Sequence, residues 1–123
     1  MMAEQSSVRA TVQGYYDALD RDDIDAALDY FGGEILYRRP GYPPITGLEG
    51  LRDYYTRGRK LASGRHVIRE VVIDGTSAAA HGTFEGELKE GGRTTMGFAA
   101  FFRFDNARDR IVEHTTYFFT PAV

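Results

Sequence analysis

The chain has 123 residues, 42% hydrophobic and 27% charged, with a net charge of −3 and a pI near 5.6. That length suits one domain that buries about two thirds of its unfolded surface, so a single domain over residues 1–123 is expected, and the charge balance offers no basic field for a nucleic-acid backbone. The lack of cysteine excludes disulfides and thiolate metal sites, no apolar run approaches a membrane-spanning length, and Met1–Ala10 lacks the basic-then-apolar order of a secretory leader. The expectation is a cytoplasmic protein with neither a nucleic-acid nor a membrane partner.

In chain order, Ser7 is placed to cap a first helix whose apolar positions Val8, Val12, Tyr15, Tyr16 and Leu19 keep the three-four spacing of one buried stripe. The Asp20–Asp23 run is turn and cap chemistry, and Asp22 or Asp23 starts a short second helix burying Ile24, Ala27, Leu28 and Phe31, which Gly32-Gly33 stops. Residues 34–39 read as a strand, after which Pro40, Pro43 and Pro44 with Gly41 and Gly47 force an irregular loop. Thr46 and Glu49 have capping-box spacing for a third helix with Leu48, Leu51, Tyr54, Tyr55 and Leu61 on its apolar side, ended by Gly64. The rest alternates as strands over 66–73, 77–88, 93–104 and 110–119, joined by short turns that include Asp74-Gly75 and Gly91-Gly92. Helical segments followed by a meander make an α+β class in which all elements share one core.

Several motifs along this order resemble ketosteroid isomerase and its relatives in the nuclear transport factor 2-like superfamily. They are Tyr15 in the first helix, Asp23-Ile24-Asp25-Ala26, the strand to Arg39 with its proline-rich loop, and Ile45-Thr46-Gly47. The C-terminal Phe102-Arg103-Phe104 and Arg110-Ile111-Val112-Glu113-His114 resemble the end of SnoaL-like polyketide cyclases. The resemblance spans nearly the whole chain. It implies a cone: a curved mixed or antiparallel β-sheet packed on three N-terminal helices around an apolar pocket, with the convex face free to form a homodimer.

Within that resemblance Tyr15 matches the oxyanion tyrosine of ketosteroid isomerase, whose mechanism pairs an Asp base with a Tyr and a protonated Asp. The base position holds Arg39, which stays protonated, and the oxyanion-acid position holds Ala100. Arg39 either turns inward, where its guanidinium suits an oxyanion or enolate, or turns outward to a surface acid while Arg38 takes the other face. Tyr15 is either a pocket donor or a packed helix residue. His114 is either the general acid or base, since imidazole titrates near neutrality, or a strand histidine satisfied by a neighbouring hydroxyl or carbonyl. The wall expected to touch a ligand is Tyr16, Tyr37 and Tyr55 with Phe84, Phe98, Ala100, Phe102, Thr116 and Phe118, and strand parity adds Met96 while sending His81 and Glu85 to the convex side.

The aspartate that SnoaL-like cyclases add near the last strands is missing, as are the acids of the Asp-Arg-Asp set used by limonene epoxide hydrolase relatives. His66, His81 and His114 show no metal-ligand spacing, and Gly91-Gly92 lacks the helix of a phosphate loop, so no metal or cofactor is expected. The leading functional expectation is a cofactor-independent enzyme acting on a hydrophobic polyketide-, terpenoid- or steroid-like molecule by proton transfer, as isomerase, cyclase or dehydratase. Tyr15, Arg39 and His114 would be its catalytic residues. The alternatives are a non-catalytic carrier of such a ligand and a dimeric interaction module.

Overall fold

The computed structural model describes residues 2–58 and 61–119, with side chains from Ser7 onward except those of residues 58, 61 and 62. Helix α1 runs over Met2–Asp20, so Ser7 lies inside it and does not cap it. No Gly or Pro interrupts residues 2–6, and the helix propagates upstream through them. Its buried stripe is the expected one, with Val8 and Val12 fully buried and Tyr15, Tyr16 and Leu19 nearly so. Asp22, at φ 60, turns the chain in the left-handed region that Asp tolerates. Asp23 then caps helix α2 (Ile24–Leu28), its carboxylate accepting from the Ala26 N–H at 3.1 Å.

Helix α2 is too short to reach Gly32-Gly33. Phe31 buries itself from strand β1 (Phe31–Arg38) instead, and the two glycines fall where the register of β1 against its parallel neighbour slips. After the proline loop, strand β2 (Ile45–Thr46) pairs antiparallel with β1. Thr46 is thereby committed to the sheet: it precedes helix α3 (Gly47–Asp53) with extended backbone but makes no side-chain cap bond, so the capping box is not formed. Helix α3 passes into a π-helical turn over Tyr54–Gly58, which turns both Tyr54 and Tyr55 inward.

Gly64 does not end that helix. Strand β3 spans Leu61–Asp74, because strand β4 (Ser77–Leu88) is long enough to pair with it as far as Leu61↔Leu88. The backbone of Leu61 is thus in the sheet, and its side chain lies outside the described residues. Strands β5 (Arg93–Phe104) and β6 (Ile111–Phe118) complete a six-stranded sheet in the order β2-β1-β6-β5-β4-β3, mixed because β1 and β6 are parallel. The sheet is curved and does not close, and the helices cover one face. Period-two alternation buries Ala80, Gly82, Phe84 and Gly86 on β4 and Met96, Phe98, Ala100 and Phe102 on β5, while His81 and Glu85 are exposed. Among the described residues no helix is long and apolar enough to cross a membrane.

Candidate functional site

The inner stripe of α1, the end of β1, the π-helical turn and the concave faces of β3 to β6 converge on a hollow of about 30 Å³. That is room for one or two water molecules. Helix α1 contributes Tyr15, Tyr16 and Leu19; the β1 side contributes Tyr37 and Arg39; and the turn contributes Tyr55. The sheet contributes His66, Phe84, Met96 and Phe98, and then His114, Thr116 and Phe118 from β6. No carboxylate is among the described lining residues. Beyond Leu19 and Tyr55 lies a surface cleft of about 490 Å³, bordered also by Ile24, Thr56, Gly64 and Lys89.

Arg39 takes the inward of its two expected orientations, and Arg38 is exposed. Its guanidinium sits 5.3 Å from the ring centre of Tyr42, 5.5 Å from Tyr54 and 5.1 Å from Phe118, a three-sided aromatic cage. Burial pulls its pKa down, but the phenols of Tyr37 and Tyr54 and a hydrogen bond with Tyr37 more than offset this, so the net displacement is upward and the charge is permanent. Tyr15 is buried, and its hydroxyl shares a hydrogen bond with that of Tyr55.

Tyr16, beside it, has a buried hydroxyl with no hydrogen-bond partner among the described residues. Burial first, then the neighbouring Tyr37, Tyr55 and Asp20, push its pKa well above the ordinary 10. It therefore remains a neutral phenol with a proton to donate.

His114 is buried with a relative exposure of 1%. Phe102 stacks on it at 4.3 Å and 11°, and Tyr37 and Tyr15 lie 5.2 and 5.3 Å away. Its Nδ1–H donates to the Phe101 carbonyl at 3.4 Å, which leaves Nε2 to accept from the Thr116 hydroxyl at 3.4 Å. Burial is the largest influence on its pKa, lowering it from 6.5 to about 3; the charges of His66 and Arg39 act in the same direction, and the Phe101 bond opposes them. An imidazole so placed stays neutral and has both nitrogens engaged. Ala100 and Phe102 are buried but lie outside the lining, because the His114 ring covers Phe102.

One arrangement was not visible in the sequence. The carboxylate of Asp20, at the end of α1, clamps His66 of β3: Oδ2 accepts from the His66 backbone N–H at 2.7 Å and Oδ1 from the ring Nδ1–H at 2.6 Å. The two side chains are only 16% and 11% exposed. The His66 ring lies 4.6 Å from Tyr16 and 4.6 Å from Phe84 and is part of the hollow's lining. The described residues contain no group of three His, Cys, Asp or Glu side chains able to hold a metal ion.

The profile of the SnoaL-like domain matches residues 12–114, which takes in most of the chain and every element from α1 to the middle of β6. The chain belongs to the SnoaL-like domain family. The fold of this SnoaL-like domain is that of NTF2-like proteins. It is similar to an NTF2-like protein of unknown function from Burkholderia pseudomallei K96243, at 20% identity over 91% of this chain and 90% of that one, with a TM-score of 0.80. An LEH-like epoxide hydrolase from M. tuberculosis is similar at 19% identity, over 92% of this chain and 83% of that one, with a TM-score of 0.79. A ketosteroid isomerase-like protein from Erwinia carotovora atroseptica SCRI1043 is similar at 21% identity, over 94% and 96% of the two chains, with a TM-score of 0.74. At these identities the likeness is one of fold, and reactions do not travel with a fold. No curated protein matches the sequence.

Proposed function

We propose that this SnoaL-like domain is a cofactor-independent enzyme that moves a proton on a hydrophobic small molecule of polyketide, terpenoid or steroid kind, isomerising, cyclising or dehydrating it. The observation that carries this reading is the Tyr16 hydroxyl: buried, held neutral and without a partner among the described residues, on a side chain that lines the same hollow as the permanent charge of Arg39. A donor and a cation in such surroundings stabilise negative charge developing on a ligand oxygen far better than water does. Tyr15, through its bond to Tyr55, is the second donor of the set. Both nitrogens of His114 are engaged within the protein, so its role here is to hold the wall, and the hydroxyl of Thr116 with it. A ligand larger than the hollow would enter from the neighbouring cleft, which shares Leu19 and Tyr55 with it. The half-exposed Phe101 and Tyr117 on the convex face, with rings 6.0 Å apart, support the companion reading that two copies pair through that face.

A non-catalytic carrier is favoured by one specific feature, the absence of any carboxylate from the described lining. The two readings separate in deuterium oxide. Cyclohexanone and 2-tetralone incubated with the protein should gain deuterium, and Tyr16→Phe should slow the gain at least tenfold while changing stability by less than about 1 kcal/mol, since that hydroxyl makes no bond among the described residues. A protein that retains these ketones without exchanging them is a carrier.

A further inference from the structure

We propose that the open edge of strand β3 is a self-association surface, to which a second copy of this chain adds its own β3 antiparallel, with Arg65 opposite Asp74 and Val67 opposite Val72. This surface is separate from both the hollow and the convex face, and it stands without the acid–base reading above. Strand β3 comes last in the sheet order, so no strand among the described residues pairs with its other side. At Leu61–Asp74 it is also the longest of the described strands, and a long open edge is a template for another strand.

Which backbone groups face that edge follows from the hairpin. The Asp74↔Ser77 pair closes the two-residue turn, a position at which the paired residues exchange both their bonds. Alternation then turns Ile73 and Val71 toward the open side. The extra residue in the bulge between Ile68 and Glu70 carries the same phase on to Ile68 and His66. Two bonds to α1 agree with this count: Arg9 Nη1–H donates to the Val71 carbonyl at 3.2 Å, and the His66 N–H donates to Asp20 at 2.7 Å.

The side chains along the edge are complementary to their own reverse. Counting outward in both directions from the Arg69–Glu70 peptide, Arg69 meets Glu70, Val67 meets Val72 and Arg65 meets Asp74. A second β3 laid antiparallel about a two-fold axis at that peptide makes each of these pairs twice. Val67 and Val72, 44% and 56% exposed, then cover one another between opposite charges. Arg65, Arg69 and Asp74 are exposed and have no ion-pair partner among the described residues. The same register sets His66 against Ile73 and Ile68 against Val71, which are the residues whose backbone turns to the edge. Hydrogen bonding and charge thus select one alignment.

A second copy fits this edge better than a foreign strand does. The bulge would misalign a regular strand, but here it lies at the axis and is matched by the same bulge in the second copy. One strand pair buries less than the roughly 800 Å² per partner of a standard interface, and it competes with Arg9 for the Val71 carbonyl. The dimer is therefore weak and forms at high local concentration.

The chain has no cysteine, so introduced thiols report on the register alone. Under mild oxidation, an equimolar mixture of Val67→Cys and Val72→Cys should form a disulfide dimer about tenfold faster than either variant by itself. Residues 67 and 72 of two copies lie directly opposite and within disulfide reach, whereas two copies of residue 67 stand about 17 Å apart. Sedimentation is read in a Phe101→Asp background, which charges the convex face and keeps pairing there out of the measurement. Arg65→Glu and Asp74→Arg should each weaken association about tenfold, and mixing the two should restore it, because every mixed pair is again of opposite charge. Arg9→Ala should tighten association about threefold by releasing the Val71 carbonyl. On the unaltered chain, protection of the Ile68, Val71 and Ile73 amides from hydrogen exchange should rise with protein concentration. Single cysteine variants that cross-link as fast as the mixture, charge variants that stay apart when mixed, or amide protection that is independent of concentration would each overturn the pairing.

Discussion

Two histidines line the hollow, and their surroundings differ. His114, in the middle of the sheet, is sealed among aromatic rings with a carbonyl and a hydroxyl on its nitrogens, and burial takes its pKa down to about 3. His66, on the edge strand, keeps a carboxylate on one nitrogen and a little exposure to solvent. A buried imidazole without a counter-charge is a wall. An imidazole with one can gain a proton and lose it again. Two rings that line one hollow thus differ in what stands behind them: a carbonyl and a hydroxyl for His114, a carboxylate for His66.

The largest effect expected from this contrast is on stability in acid. In the unfolded chain His114 binds a proton below pH 6.5, and in the folded chain only below about 3. Between those values the unfolded state holds more protons, so stability is full above pH 6.5 and is lost as the pH falls toward 3, by about 1.4 kcal/mol per pH unit and up to roughly 5 kcal/mol in all. Urea midpoints measured between pH 6.5 and 5, where carboxylates contribute little, should fall in the wild type and stay nearly level in His114→Phe. Equal slopes in the two proteins would show that the imidazole is not held neutral.

The next effect acts on His66 alone. The β3–β4 pairing leaves its turn as Asp74↔Ser77 and keeps that register to Glu70↔His81, then slips so that Ile68 faces Gly82. A Cβ on Gly82 would stand 1.9 Å from the carbonyl oxygen of Val67, and the obstacle is backbone, which cannot rotate away. Gly82→Ala should therefore cost about 3 kcal/mol and open the bulge, withdrawing His66 from Asp20 while the β5–β6 pairing that holds His114 persists. Loss of the His66 ring shift typical of the clamped tautomer, with His114 signals unchanged, is the expected spectrum. A stable variant with both sets of signals intact would mean that the bulge does not position His66.

That bulge also explains what the sequence hid. The strands over 77–88 and 93–104 were legible to the residue because alternation on a half-buried sheet has a period of two, and the stripe of α1 was legible for the corresponding reason in a helix. The inward faces of β5 and β6, with Phe98, His114 and Thr116, followed from the same parity once the family resemblance had set which face is inward. Counting back along the hairpin from its Asp74-Gly75 turn, however, sets His66 opposite Glu85 on the outer face; the slip between Ile68 and Glu70 moves it opposite Phe84, on the inner face. Asp20, 46 residues away, stood in a run of acids that reads as turn and cap chemistry. The early start of β3 was hidden for a tertiary reason as well: Gly64, which resembles a helix stop, is there because a Cβ would lie 2.1 Å from the Phe84 ring.

The third histidine isolates what the clamp adds. His81 also meets a carboxylate, with Nε2 3.1 Å from Oε1 of Glu70, but both side chains are on the outer surface at 47% and 62% exposure. Water and salt screen such a pair and its side chains lose freedom to form it, so it should be worth less than about 0.5 kcal/mol. His81→Ala should leave the urea midpoint within that margin and the rate of ketone exchange unchanged. A slower exchange would show that a histidine on the outer face takes part in the chemistry, against its exposure at the convex surface.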